Sequence, residues 1–100
     1  MAKGKNSDPG PLTVAIAEVI RVEMGRLNAN KSRVAEVSKI PRTTLGGMID
    51  GTVVYDLEQL DRVCMALGVR IEDVLKEAEK IAEKSGNRRI DLGIQPIVKR

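Results

Sequence analysis

Residues 31–51, KSRVAEVSKIPRTTLGGMIDG, decide how the chain folds. Val34, Ala35 and Val37 make an apolar face on one short helical stretch. Leu45, Met48 and Ile49 repeat at helical spacing and make the apolar face of a second. Between them Lys39–Ile40–Pro41 leaves room for about one turn, with Ile40 turned into the core. Asn30 is a good N-cap for the first helix, Lys31 to Ser38, because its side chain can accept from a free N–H of the first turn. Pro41 fits the first turn of the second helix, Pro41 to Ile49, because its missing N–H is one of the orphan donors there. Asp50–Gly51 closes that helix, leaving Arg42, Thr43, Gly46 and Gly47 on its outer face.

Working outward, residues 1–11, MAKGKNSDPGP, read as a flexible arm rich in Gly, Pro and polar residues. Ile16, Val19 or Ile20, and Met24 recur every three to four residues, which predicts a first helix from Leu12 or Thr13 to Met24. Gly25 suits its end, and Leu27 re-enters the core. Thr52 to Tyr55 is a connecting loop. Asp56, with Gln59 three residues on, opens a fourth helix as a capping box. Its buried stripe is Leu57, Leu60, Cys64 and Leu67, and Gly68 stops it. A fifth helix opens near Arg70 or Ile71, with Glu72 and Asp73 in its first turn and Lys80 and Lys84 near its end, each favourable to the helix dipole. Its apolar stripe is Ile71, Val74, Leu75, Ala78, Ile81 and Ala82, and Gly86 ends it. The expected fold class is all-α, five helices over residues 12–85. The tail 86–100 is too apolar for a linker and, with Gly93 and Pro96, a poor helix. It docks on the domain, meets a partner, or begins something longer.

Composition removes several function classes. One hundred residues with 42% apolar and 31% charged content describe one small folded domain. Tyr55 is the lone aromatic, which argues against single-strand platforms that stack bases on rings. One cysteine and no histidine exclude an internal disulfide, the usual zinc sites and the usual catalytic constellations. The reading is a non-enzyme without cofactor or metal. No stretch approaches the ~20 apolar residues that span a membrane, so a cytoplasmic protein is expected.

The net charge of +3 is unevenly spread. Residues 1–52 hold eight Lys and Arg against five acids, and residues 53–84 hold five against eight. From Arg26 to Arg42 there are five bases and one acid, Glu36. Two short helices joined by one turn, with this basic balance, are the layout of a helix-turn-helix that faces duplex DNA.

Residues 13–75 resemble the lambda-repressor/Cro, or XRE-like, family of helix-turn-helix domains. The most specific part is V-A-E-V-S-K-I-P-R-T-T-L-G-G-M-I-D-G, Val34 to Gly51. A second match, L-E-Q-L-D-R-V-C-M-A-L-G-V from Leu57 and on to Leu75, is similar to the family's fourth and fifth helices. The resemblance implies a five-helix domain whose third helix enters the major groove. By position it puts Arg42, Thr43, Gly46 and Gly47 at the groove and Thr44 at the backbone edge, so the base-reading set is these five, with Thr43 or Thr44 able to place a methyl on thymine or a hydroxyl on a phosphate. It puts Asn30, Lys31 and Ser32 where the second helix's N-terminus meets a phosphate, with Arg33, Lys39 and Thr52–Val53 flanking.

Two departures stand out. The family usually has Gly where this chain has Lys39, so the turn is either strained or of another type. Gly46–Gly47 lies inside a helix, either as two tolerated small residues or as a bare surface that lets the backbone lie deep in the groove. Arg42 has the fork to bond guanine O6 and N7, and equally the charge to clamp a phosphate. Lys31, Arg33 and Lys39 would add sequence-blind affinity. The resulting expectation is a sequence-specific regulator binding double-stranded DNA, of bacterial or phage repressor type, with a possible homodimer through helix 5 or the tail. The alternative is an antitoxin or other protein-interaction module, whose binding segment would be Ile90 to Val98.

Overall fold

Pro11 opens the first helix, one residue earlier than the apolar spacing suggested, because a proline at the first helical position gives up no hydrogen bond. The computed structural model describes residues 8–86. Five helices follow in order: α1 (Pro11–Leu27), α2 (Lys31–Ser38), α3 (Arg42–Asp50), α4 (Leu57–Leu67) and α5 (Ile71–Glu83). Among the described residues there is no strand, and Val53 to Tyr55 continues as loop. The expected arm falls mostly, and the tail almost wholly, outside the described residues. So does the Ile90–Val98 segment on which the antitoxin alternative turns.

α1 runs past Gly25 and stops at Asn28, which takes the left-handed conformation (φ 55°). The N–H groups of Asn28 and Ala29 then donate to Gly25 O and Met24 O at 3.2 and 2.9 Å. Asn tolerates this conformation better than other side-chain-bearing residues, so the helix did not need Gly25 as its stop. Leu27, expected in the core, is left exposed by the extra turn. α4 opens with the expected capping box: Gln59 N–H donates to Asp56 Oδ1 at 2.7 Å, and Asp56 N–H to Gln59 Oε1 at 3.3 Å. α5 ends at Glu83, three residues before Gly86.

The core is aliphatic, with Ile20, Leu45, Met48, Val63 and Cys64 fully buried. α5 lies along α1 in the most extensive helix–helix contact. α3 rests on α1, and α2 on α4 and α3. Val74, Ala78 and Ala82 of α5 are buried, while Ile71, Leu75 and Ile81 are half-buried against the same cluster. Two expected core positions are corrected. Val37 is 48% exposed, and the buried place on that turn goes to Ser38, whose hydroxyl donates to Val34 O at 2.6 Å. Leu57 is 73% exposed; as the first residue of α4 it lies beyond the stripe formed by Leu60, Val63, Cys64 and Leu67. Among the described residues no helix is long and apolar enough to cross a membrane.

Candidate nucleic-acid interface

The turn between α2 and α3 is the strained one. Lys39 sits at φ 60°, ψ 37° and its neighbour Ile40 N–H donates to Ala35 O at 3.2 Å. A residue with a Cβ costs about 1–2 kcal/mol in this conformation. Pro41, expected inside the first turn of α3, instead stands just before it: at φ −54°, ψ 137° it serves as N-cap, and its carbonyl accepts from Leu45 N–H at 2.9 Å. Extended backbone at Pro41 turns the chain so that Ile40 is buried and Arg42 begins α3 exposed.

Two arginines outside the motif hold the carbonyl ends of its helices. Arg62 of α4 donates from Nε to Ser38 O at 2.9 Å, and Arg21 of α1 donates from Nη1 to Ile49 O at 2.7 Å. A cation at a helix C-terminus satisfies an orphan acceptor and opposes the negative end of the dipole. The sequence gives no local sign of either contact, since the partners lie 24 and 28 residues apart.

An open depression between α2 and α3 is lined by Lys31, Arg42, Thr43, Gly46, Gly47 and Asp50. It brings together four of the five expected base-reading positions with one expected phosphate contact. Thr44, the fifth, is half-buried and does not line it. Arg42 and Thr43 are exposed in the first turn of α3. Asp50, which sequence reasoning passed over as a helix terminator, pairs with Lys31 at 3.6 Å across the depression.

The other expected phosphate contacts are distributed around it. Asn30 caps α2, its Oδ1 accepting from Arg33 N–H at 2.8 Å, which orders the helix N-terminus. Ser32 is exposed beside it. Arg33 pairs with Glu36 at 3.2 Å on a fully solvated face, so that contact is weak. Lys39 is exposed on the turn. Thr52 donates through its hydroxyl to Gly47 O at 3.2 Å, folding the α3–α4 loop back on α3.

Behind the interface, burial raises the Tyr55 hydroxyl pKa above its ordinary range, with Cys64 adding to the rise and Arg21 opposing it. Burial likewise pushes the Cys64 thiol up to about 11, with Asp61 acting in the same direction. Both groups are therefore neutral core residues near pH 7. Cys64 is a small buried hydrophobe rather than a reactive thiol. Among the described residues no cluster of three or more His, Cys, Asp or Glu is placed to hold a metal.

Five helices with two short ones joined by a left-handed turn, and a basic, polar depression across their exposed sides, define a helix-turn-helix DNA-binding domain. The family model of the Cro/C1-type HTH DNA-binding domain matches residues 19–77, more than half of the chain, and the chain belongs to that family. Comparison with curated proteins found no match. Two crystal structures of the clp gene regulator ClgR from Corynebacterium glutamicum are similar. One is 29% identical with a TM-score of 0.65 and covers 69% of this chain and 90% of that one. The other is 27% identical with a TM-score of 0.69 and covers 74% of this chain and 79% of that one. Family and fold are those of DNA-binding regulators.

Proposed function

We propose that the chain is a sequence-specific transcriptional regulator of bacterial or phage type that inserts α3 into the major groove and acts as a repressor by occupying its operator. The observation that carries this reading is the depression that joins Arg42 and Thr43 of α3 to Lys31 of α2. In this reading the fork-shaped donor of Arg42 meets base edges and the point charge of Lys31 meets the phosphate backbone. Arg42 reads guanine; Thr43 offers a methyl to thymine or a hydroxyl to a phosphate, and Thr44 works from the backbone edge. Asn30, Lys31, Ser32, Arg33, Lys39 and Thr52 fix the register through phosphates, which position without specifying. The similarity to ClgR, titled a gene regulator, supports regulation of transcription as the outcome of binding.

Selection from a random duplex pool at about 150 mM salt, the range in which phosphate contacts are already partly screened, is the decisive experiment. A single enriched motif is expected. A palindromic motif supports a homodimer built on the half-buried Leu75 and Ile81 of α5, and an asymmetric motif a monomer. Arg42→Ala is expected to erase about 1–3 kcal/mol of discrimination at one base pair. Lys31→Ala is expected to weaken all duplexes alike and lower the salt slope by about 0.9. Uniform loss in both variants would remove Arg42 as a base reader.

A further inference from the structure

Position 47 of α3 has no side chain, and a neighbour fills its place. A Cβ built on Gly47 would lie 2.5 Å from Val53 Cγ2 and 3.2 Å from Val53 Cβ, with Thr52 Oγ1 at 3.4 Å. Real Cβ atoms essentially never come under 3.0 Å, so the Val53 methyl takes the volume that a larger residue at 47 would claim. Three donors converge on one acceptor to hold it there. The N–H groups of Thr52 and Val53 donate to Gly47 O at 2.9 and 3.2 Å, and the Thr52 hydroxyl donates at 3.2 Å. Val53 is not part of the hydrophobic core and stays 37% exposed. Gly47 itself lines the depression with Arg42 and Thr43. An aliphatic side chain is thus pinned at the rim of a face that is otherwise polar.

We propose that Val53 is a specificity-determining residue that meets the C5-methyl of a thymine, and that Gly47 is the positioning residue that seats it. The proposal rests on the reading that α3 lies in the major groove. There, thymine is the base that presents a methyl group, so an ordered aliphatic side chain discriminates for it. Gly47 lies five residues beyond Arg42, about 7.5 Å along the helix axis, so the two readers address different base pairs.

The test uses the full chain and its selected duplex, with each thymine replaced in turn by deoxyuracil, which removes the methyl alone. Binding is read by fluorescence anisotropy. At one thymine the wild type is expected to weaken roughly three- to fivefold, the worth of one buried methyl. Val53→Ala is expected to be indifferent to that same replacement, and Gly47→Ala, which displaces Val53, to lose the sensitivity as well. Val53→Thr, which keeps one methyl, carries the test should Gly47→Ala fail to fold. A wild type indifferent to every replacement overturns the proposal, as does a Val53→Ala variant as sensitive as the wild type. In both cases the groove reading survives, because a selected duplex exists. Absence of any selected duplex overturns the groove reading and this proposal with it.

Discussion

Gly46 and Asp50 show how single residues set the character of the interface. A Cβ at Gly46 would meet nothing within 4 Å, so no packing requirement accounts for a glycine there. Gly46→Ala is expected to stabilise the domain by about 0.8–1 kcal/mol through helix propensity. The same methyl would stand between the helix backbone and the bases, so DNA affinity is expected to fall. A thermal melt and an anisotropy titration on one variant check both signs, and a rise in both quantities would make Gly46 merely tolerated. Asp50 places a carboxylate at the C-terminal end of α3, where the helix dipole disfavours it, and Lys31 offsets that cost across the depression. Asp50→Asn is expected to change stability by less than about 1 kcal/mol, the worth of an exposed pair. It removes a carboxylate that repels phosphate and competes for Lys31, so affinity for all duplexes is expected to rise.

At the scale of elements, what the sequence made legible were the local decisions. The Asn30 cap, the capping box at Asp56–Gln59, the stop at Gly68 and the stripe of α5 are each encoded within a few residues, and each forms as expected. Asn28 competed with Gly25 for the end of α1 and won by closing a left-handed cap onto Gly25 O and Met24 O; periodicity alone does not weigh two stop signals three residues apart. Leu57 and Val37 satisfied the spacing of a buried stripe, yet both are exposed: Leu57 is the first residue of α4, and Ser38 takes the buried place beside Val37. The interface followed the same division. Arg42, Thr43 and Lys31 were found from position in the motif, whereas the Lys31–Asp50 pair and the arginine braces depend on tertiary approach. The strained turn at Lys39 yields a prediction of its own. Lys39→Gly relieves a left-handed side chain and is expected to raise the melting temperature by several degrees, on the scale of 4–8 °C per kcal/mol for a domain of about this size. It is expected to lower DNA affinity at the same time, by removing a charge beside the backbone. A melting temperature that falls would mean the Lys39 stem packs in a way that outweighs the strain.

For the molecule as a whole, the neutral pair Tyr55 and Cys64 ties the core to pH. Cys64 titrates at about 11 when folded, against an ordinary 9.0, and Tyr55 is raised as well. Above pH 9 the unfolded chain therefore holds fewer protons than the native one, and stability falls as pH rises. The Cys64 contribution is fully present below 9.0 and is lost through about 11, at up to roughly 1.4 kcal/mol per pH unit, and Tyr55 adds to the decline above its ordinary 10.0. Denaturant midpoints measured across this range are expected to fall, and Cys64→Ala to flatten the decline. Constant midpoints would place both groups in a far more watery setting. The α1–α5 contact carries a consequence of another kind. α1 finds its main partner in α5, so during synthesis the side of α1 that α5 covers stays open until α5 has left the ribosome, even once α3 has packed on its other side. From the end of α1 at Leu27 to the end of α5 at Glu83 the ribosome adds 56 residues. At about 5–20 residues per second, α1 waits on the order of three to eleven seconds. Over that interval Val19, which adjoins Val74 of α5 in the folded domain, stays open to chaperones and neighbouring chains, and slower translation through α4 is expected to lower the yield of folded protein.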